Sequence, residues 1–535
     1  MLQRSCFSVA LSLFAFSALV HAQSSSPQEP EYTFHVGSRI VLTDVTVTDR
    51  SGNPVHGLKA SDFQILDNNK PQLLASFEEH ATPVAPMEQT SGSPGVYSND
   101  FLQHLPPALN IIVIDITNLD LPDQMYLSYE LNRFIRNLPA GQPLAIFWQS
   151  GESNLLLQSL TTDRNLLLAA VRKAIPRFPP PDRGTYTESG YVTLQTIENN
   201  LAQYPGRKNI LWFSGGSSLF LHTDPLDPQV ALPLTYPDPA LLRDIYDELE
   251  ASRIAIYPVD ARGLQSAGIG PYPSGAAFAI AGQQGLMKDI ANATGGTAFY
   301  NNNALDKIAA HWIDNAGSFY TLTYSPKDFR FDNKWHTVKV KLSAEFSGYT
   351  LSYRRGYFAD ATTAARRKEK KPRVFLRSNG DTQIEPDRRS VPIIFQVHVA
   401  PASQKRASST GDATASKVKA PEKGTIPYSI HYSLPASDFT IKTVHGQPEV
   451  EIGVAVLAFN DQGSSETRLA NQLTFAINED NLRLHPKALI PADQQIDLQK
   501  GQKYLYLAVW DMTSGRLGTL QIPLKVVPEP KQPKL

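Results

Sequence analysis

Two aspartates stand where chemistry could be done: Asp115 closes the apolar run Leu109 to Ile114, and Asp260 closes the run Ile254 to Val259. Carboxylates brought together at strand ends are the residue types that acid–base hydrolysis of a glycoside or peptide bond uses. No other enzyme pattern accompanies them. The chain has no Gly-x-Ser-x-Gly elbow, no phosphate-binding Gly-x-x-x-x-Gly-Lys loop and no His-Glu-x-x-His helix. Gly215-Gly216 follows one apolar run and Gly295-Gly296 precedes another, without a dinucleotide fingerprint, so turn and cap roles account for them. His311, beside Trp312, reads as a helix-face residue.

The elements that must position these aspartates alternate. Leu109 to Ile114 is continuous and apolar, as in a strand buried on both faces. Leu127, Leu131, Phe134, Ile135 and Leu138 repeat at helical spacing, Leu144 to Trp148 is a second buried strand, and Leu155 to Leu157 an edge strand. Leu166, Leu167, Ala170 and Val171 mark another helix, with Thr162 or Asp163 as its cap. Leu194, Ile197 and Leu201 mark a third, and Asn209 to Phe213 a further strand. Leu241, Leu242, Ile245 and Leu249 then form a stripe before the strand ending at Asp260. A short strand at Thr297 to Tyr300 and a helix carrying Leu305, Ile308, Trp312 and Ile313 complete the series. This alternation predicts a doubly wound, mostly parallel α/β sheet, Rossmann-like in layering, over residues 105–316.

Around it the pattern is β only. Residues 31–80 carry strand-like runs broken by turns at Asp49 to Pro54 and Asp67 to Pro71, and residues 81–104 read as a polar linker. Residues 317–360 hold three more strands, and whether they pair with 31–80 stays open, since periodicity does not set register. A basic linker, 361–372, precedes a C-terminal part, 373–528, in which short alternating strands predict an Ig-like β-sandwich. Within it, residues 402–424, rich in Ala, Ser, Lys and Thr, read as a disordered loop.

Length and composition bound the rest. At 535 residues, three or four domains are expected, and 41% hydrophobic with 19% charged residues is ordinary for globular cores. A net charge of −1 gives no field that would collect nucleic acid. Arg4, an apolar run from Phe7 to Val20 and Val20-His21-Ala22 read as a signal peptide, residues 1–22. The run is short for a spanning helix, and no later segment could span, so no transmembrane segment is expected in the mature chain. The sole cysteine, Cys6, precedes the run, so the mature chain would hold neither disulfide nor thiolate site. Periplasmic or secreted residence is the expectation.

Several stretches together resemble the acidobacterial von Willebrand factor A (vWA)-related family. They are Val45 to Asp49, Pro54 to Leu58, Asp62 to Ile65, Asp67 to Gln72, Gly206-Arg207-Lys208 before the strand to Ser214-Gly215, Arg354 to Tyr357 and Thr513 to Arg516. The resemblance implies a vWA-like domain behind an N-terminal β-segment and carries no activity. It also implies a candidate divalent-cation site of Asp-x-Ser-x-Ser form, a MIDAS, completed by a threonine and an aspartate from later loops. A hard, octahedral Mg²⁺ takes carboxylate, hydroxyl and water oxygens. Asp115 matches the first carboxylate and Thr117 the first serine, whereas Leu119 and Gly215 offer no oxygen where the motif needs one. Thr185 or Thr187 would be the second-loop threonine, and Asp120, Asp123 or Asp260 could compensate. The site therefore reads as degenerate, with no cofactor expected unless Mg²⁺ or another divalent cation binds at Asp115 and Thr117.

The functional expectation is an exported, non-enzymatic protein that binds a protein partner, as an interaction or adhesion module of the cell envelope. The alternatives are an envelope-polymer hydrolase using Asp115 and Asp260, and a structural envelope component.

Overall fold

A computed structural model describes residues 40–81, 94–100, 105–150, 153–174, 189–201, 204, 206–216, 239–265, 275–327, 330–359, 373–376, 382–385, 392–402, 424–445, 447–460, 465–478, 485 and 488–526. Four strands open the chain: β1 (Val41–Thr48), β2 (Phe63–Asp67), β3 (Lys70–Gln72) and β4 (Leu74–His80). β1 alternates with period two, burying Val41, Thr43, Val45 and Val47 on one face. Asp49 forms the following turn by accepting the Ser51 and Asn53 amides at 2.8 and 2.9 Å. Strand β5 (Val96–Ser98) lies within the stretch that reads as linker.

The α/β domain follows. Its strands are β6 (Ala108–Asp115), β7 (Leu144–Ser150), β8 (Ser153–Thr161), β9 (Arg207–Ser214) and β10 (Ile254–Asp260). Its helices are α1 (Leu121–Asn137), α2 (Arg164–Ala174), α3 (Ser189–Leu201), α4 (Pro239–Ala251), α5 (Gly275–Thr294) and α6 (Leu305–Ala316). The sheet order is β10-β9-β6-β7-β8, parallel except for the antiparallel edge strand β8. All eight residues of β6 are buried, and they serve opposite faces in turn. Ile112 and Ile114 pack with α1, α2 and α6, while Leu109, Ile111 and Val113 pack with α3, α4 and α5. Asp163 caps α2 by accepting the Asn165 and Leu166 amides. Thr297 to Tyr300, expected as a strand, makes a single parallel bridge, Phe299 to Val259. Gly295, at φ +82°, ends α5 just before it, its amide bonded to the Ala291 carbonyl at 2.8 Å.

The chain then returns through β11 (Phe319–Tyr324), β12 (Trp335–Leu342), β13 (Thr350–Tyr353) and β14 (Gly356–Phe358). These interleave with the opening strands in two four-stranded sheets, β13-β1-β11-β4 and β14-β12-β2-β3. Residues 40–80 and 319–358 are thus one β-module, and the α/β domain leaves it after β4 and re-enters at β11. Its core holds Val45, Phe63, Ile65, Tyr320, Leu322 and Tyr353 among others.

The remaining strands are a hairpin of β15 (Arg373–Leu376) and β16 (Thr382–Glu385), then β17 (Gln396–Pro401), β18 (Thr425–Pro435), β19 (Lys442–Val444), β20 (Gln447–Asn460), β21 (Ser465–Ala476), β22 (Leu489–Gln499), β23 (Gly501–Asp511) and β24 (Leu517–Val526). One sheet runs β22-β18-β17-β5; the other runs β19-β20-β23-β24, with β21 also on β20. Both close on one apolar core. β5 therefore completes this C-terminal sandwich from a distant part of the chain. The buried Asn99 locks it there, donating to the Ile393 carbonyl at 2.9 Å and accepting the Phe395 amide at 2.7 Å. Residues 1–22, the basic linker 361–372 and most of 402–424 fall outside the described residues. Among the described residues no helix is long and apolar enough to cross a membrane.

Candidate functional site

In this order β6 is flanked by β9 on one side and β7 on the other, so the strand sequence reverses there. The crevice beyond the carboxyl ends of β6 and β9 is where open α/β sheets hold ligands. Asp115, Ser214 and Asp260 end three adjacent strands at that crevice, and the loop Ile116 to Asp120 leads into α1 beside it.

Asp115 is fully buried and engaged. The Thr117 amide donates to its Oδ1 at 3.0 Å, and the indole N–H of Trp212, on β9, donates to its Oδ2 at 3.2 Å. The Thr117 side chain is itself buried. Leu119 points into the apolar core with Leu127 and Leu131, away from polar company. Gly215 meets the same loop from below. A Cβ built there would overlap the carbonyl oxygen of Asn118 and lie 2.9 Å from Leu119 Cδ2. The backbone of the first loop thus fills the place from which a side chain at 215 would reach the site.

Asp260 is likewise buried, and Arg262 folds back onto it. Arg262 Nε and Nη2 each donate at 2.8 Å to a different carboxylate oxygen, and the Arg262 amide adds a third bond at 3.1 Å. This two-pronged pairing matches a planar guanidinium to a planar carboxylate. Asp123, on the first turn of α1, feels the same charges. Burial raises its pKa, Asp120 and Asp260 add to the rise, and Arg262 opposes it. Asp120 precedes α1 without a side-chain cap bond of its own. Thr185 and Thr187 lie outside the described residues. His311 faces the β-module, where Asn315 Nδ2 lies 3.0 Å from its Nε2 and bonds the Gly52 carbonyl at 3.1 Å.

These donors do not fit an octahedral Mg²⁺. Leu119 and Gly215 supply no oxygen, Asp115 is held by two N–H donors, and Asp260 is held by a guanidinium. Among the described residues, no group of three or more His, Cys, Asp or Glu side chains is arranged to hold a metal ion. The positive charge at the crevice belongs to the chain itself. Sequence reasoning passed over Arg262 and Trp212, although an arginine two residues after Asp260 was a readable signal for local pairing.

Exposed apolar side chains stand on α1, which starts beside the crevice, and after β10. Leu121, Met125 and Tyr129, spaced four apart on α1, are 56%, 61% and 64% exposed, and Leu264, after β10, is 63% exposed. Asn303 ties the two elements together: Leu264 donates its amide to Asn303 Oδ1 at 2.7 Å, and the Tyr126 hydroxyl donates to the Asn303 carbonyl.

Fold and crevice together define an α/β protein whose doubly wound, mostly parallel sheet is inserted into a β-module, with a second β-sandwich behind it. No protein-family model matches the chain, and no curated protein matches it. Among solved structures it is similar to VWA domains. The VWA domain of SpRpn10 is 15% identical, covering 33% of this chain and 94% of that one, with a TM-score of 0.18. The ArnB paralog VWA2 from Sulfolobus acidocaldarius is 8% identical, covering 91% and 74%, with a TM-score of 0.20. A β-glucosidase from Listeria innocua in complex with isofagomine is 7% identical, covering 80% and 48%, at 0.15. Likeness at this level carries no function across.

Proposed function

We propose that this chain is a non-enzymatic, vWA-like interaction protein of the cell envelope, exported by its first 22 residues, that docks a protein partner at the crevice end of its α/β sheet. The observation that carries the reading is the stripe Leu121, Met125 and Tyr129. These are large side chains, more than half exposed, that run from the crevice end of α1 along its outer face. A contiguous exposed apolar patch rimmed by polar groups is the usual mark of a protein-binding surface. Tyr and Met are among the residues enriched in such surfaces. Arg262, 17% exposed at its side chain, supplies the fixed positive charge that a bound cation supplies elsewhere.

Acid–base hydrolysis finds less support, because both carboxylates that would share the work are already bonded, Asp115 to Trp212 and Asp260 to Arg262. The test is capture from an envelope extract by immobilised mature chain, compared with the Met125→Asp, Tyr129→Asp double variant. A defined partner held by the first and lost by the second, with both melting alike, supports the reading. A partner held equally by both removes this face from consideration.

A further inference from the structure

The other end of the same sheet carries a second feature, unrelated to the crevice. A cavity of about 30 Å³ lies where β1 of the β-module meets the start of β9 and β10, and Arg207, Arg253, Arg354, Asp44 and Glu250 line it. Arg207 is 2% exposed and is held only by neutral acceptors. Its Nε donates to Asn209 Oδ1 at 2.9 Å, and its Nη2 to the Tyr257 hydroxyl at 3.1 Å and the Gly295 carbonyl at 3.2 Å. Its Nη1 has no partner. Arg354 also bonds neutral groups, the carbonyls of Tyr246 at 3.2 Å and Ile254 at 3.3 Å. Arg253 is matched by Asp44, with contacts of 3.0 and 2.5 Å.

Charge and size then narrow the occupant. Three guanidiniums, cationic at any accessible pH, and two carboxylates line the space, and Arg207 brings an unbonded N–H to it. A water needs at least ~10–15 Å³, so this space takes about two waters or one small anion. We propose that the cavity binds a small monovalent inorganic anion, chloride in solution, which accepts from Arg207 Nη1 and ties the β-module to the inserted α/β domain.

The test uses the full chain in sodium chloride, sodium bromide and sodium gluconate at equal ionic strength, gluconate being a far bulkier anion than either halide. An anion that binds only the folded state raises the unfolding midpoint saturably, here by about 2–4 °C in either halide over gluconate. Arg207→Gln should abolish that difference. Glu250→Gln, which removes a repelling carboxylate, should reach half the effect at a several-fold lower halide concentration. Crystals grown in bromide should show an anomalous peak within hydrogen-bond reach of Arg207 Nη1. Equal midpoints in halide and gluconate, an undiminished halide effect in Arg207→Gln, an unchanged half-point in Glu250→Gln, or water alone in the bromide crystals would each overturn the proposal.

Discussion

Arg262 and Asp260 face each other across a single residue, Ala261, the guanidinium fork seated on both carboxylate oxygens at 2.8 Å. The pair neutralises a buried acid at the mouth of the crevice from within the chain. The edge of that arginine, 17% exposed at its side chain, is what the pair presents there.

It follows that residues 23–535 should show no saturable Mg²⁺, Mn²⁺ or Ca²⁺ binding by calorimetry. Arg262→Gln leaves Asp260 with Asp123 and Asp120 nearby and no guanidinium, so weak divalent binding should appear in that variant. Saturable binding by the unaltered chain, lost in Asp115→Ala, would show that the ion displaces these contacts and that the metal site is real.

Restoring a carboxylate at 215 should fail. Gly215→Ala already places a methyl group into the Asn118 carbonyl, and Gly215→Asp adds more bulk in the same place. Overpacking a close backbone approach costs about 1–3 kcal/mol. Denaturant midpoints should fall in both variants, without any gain of metal affinity in the aspartate form. A Gly215→Asp chain as stable as the parent would show that the first loop yields easily.

A buried polar cluster in the β-module should set how stability varies with pH. Tyr357 and Tyr324 donate to Asp67 Oδ2 at 2.7 and 3.0 Å, and His336 sits 3.4 Å from Asp67 Oδ1 and 3.3 Å from Asp332. Burial alone would raise the Asp67 pKa, but the bonds from His336, Tyr357 and Tyr324 together bring it below the ordinary value. The bond to Asp67 raises that of His336 against burial, and the charges of Asp67 and Asp332 help. The His336 contribution is therefore complete below pH ~6.5 and is lost as pH rises through its higher folded value. The Asp67 contribution is present above pH ~3.9 and is lost as pH falls through its lower folded value. Urea midpoints measured from pH 3 to 8 should peak between these limits, and His336→Gln should flatten the alkaline side. An unchanged alkaline slope in that variant would assign the loss to other groups.

The seam between β-module and α/β domain offers a stability test. Arg253 holds Asp44 with two bonds, and Thr321 donates to the same carboxylate at 2.8 Å. Removing one partner leaves the other charge poorly solvated, so Arg253→Met and Asp44→Asn should each cost about 1–3 kcal/mol. The double variant should cost less than their sum, because the second change then breaks no remaining pair. Strict additivity in the cycle would mean the two side chains do not communicate.

Much of the architecture could be read along the chain because it is a matter of local period. An apolar run such as Leu109 to Ile114, broken only by Asn110, has to be covered on both faces, and β6 is. The stripe Leu127, Leu131, Phe134 and Ile135 has one apolar side, and α1 turns that side inward. β22 is harder to read this way, because its inward positions include Gln494. That residue is satisfied by Tyr432, Asn471 and the Val454 carbonyl, all far away in sequence. β5, three residues in a polar stretch, has no period long enough to read.

What the sequence by itself determined was the order of elements: β-segment, alternating α/β domain, β-segment, β-rich C-terminal part. Hydrophobic period depends on neighbours three or four residues away and survives without any knowledge of the fold. Only the tertiary structure decided that 40–80 and 319–358 are one module, that β5 belongs to the last sandwich, and that Trp212 takes hold of Asp115. Register, loop approach and the pairing of buried charges arise between residues that are neighbours only once the chain has closed on itself.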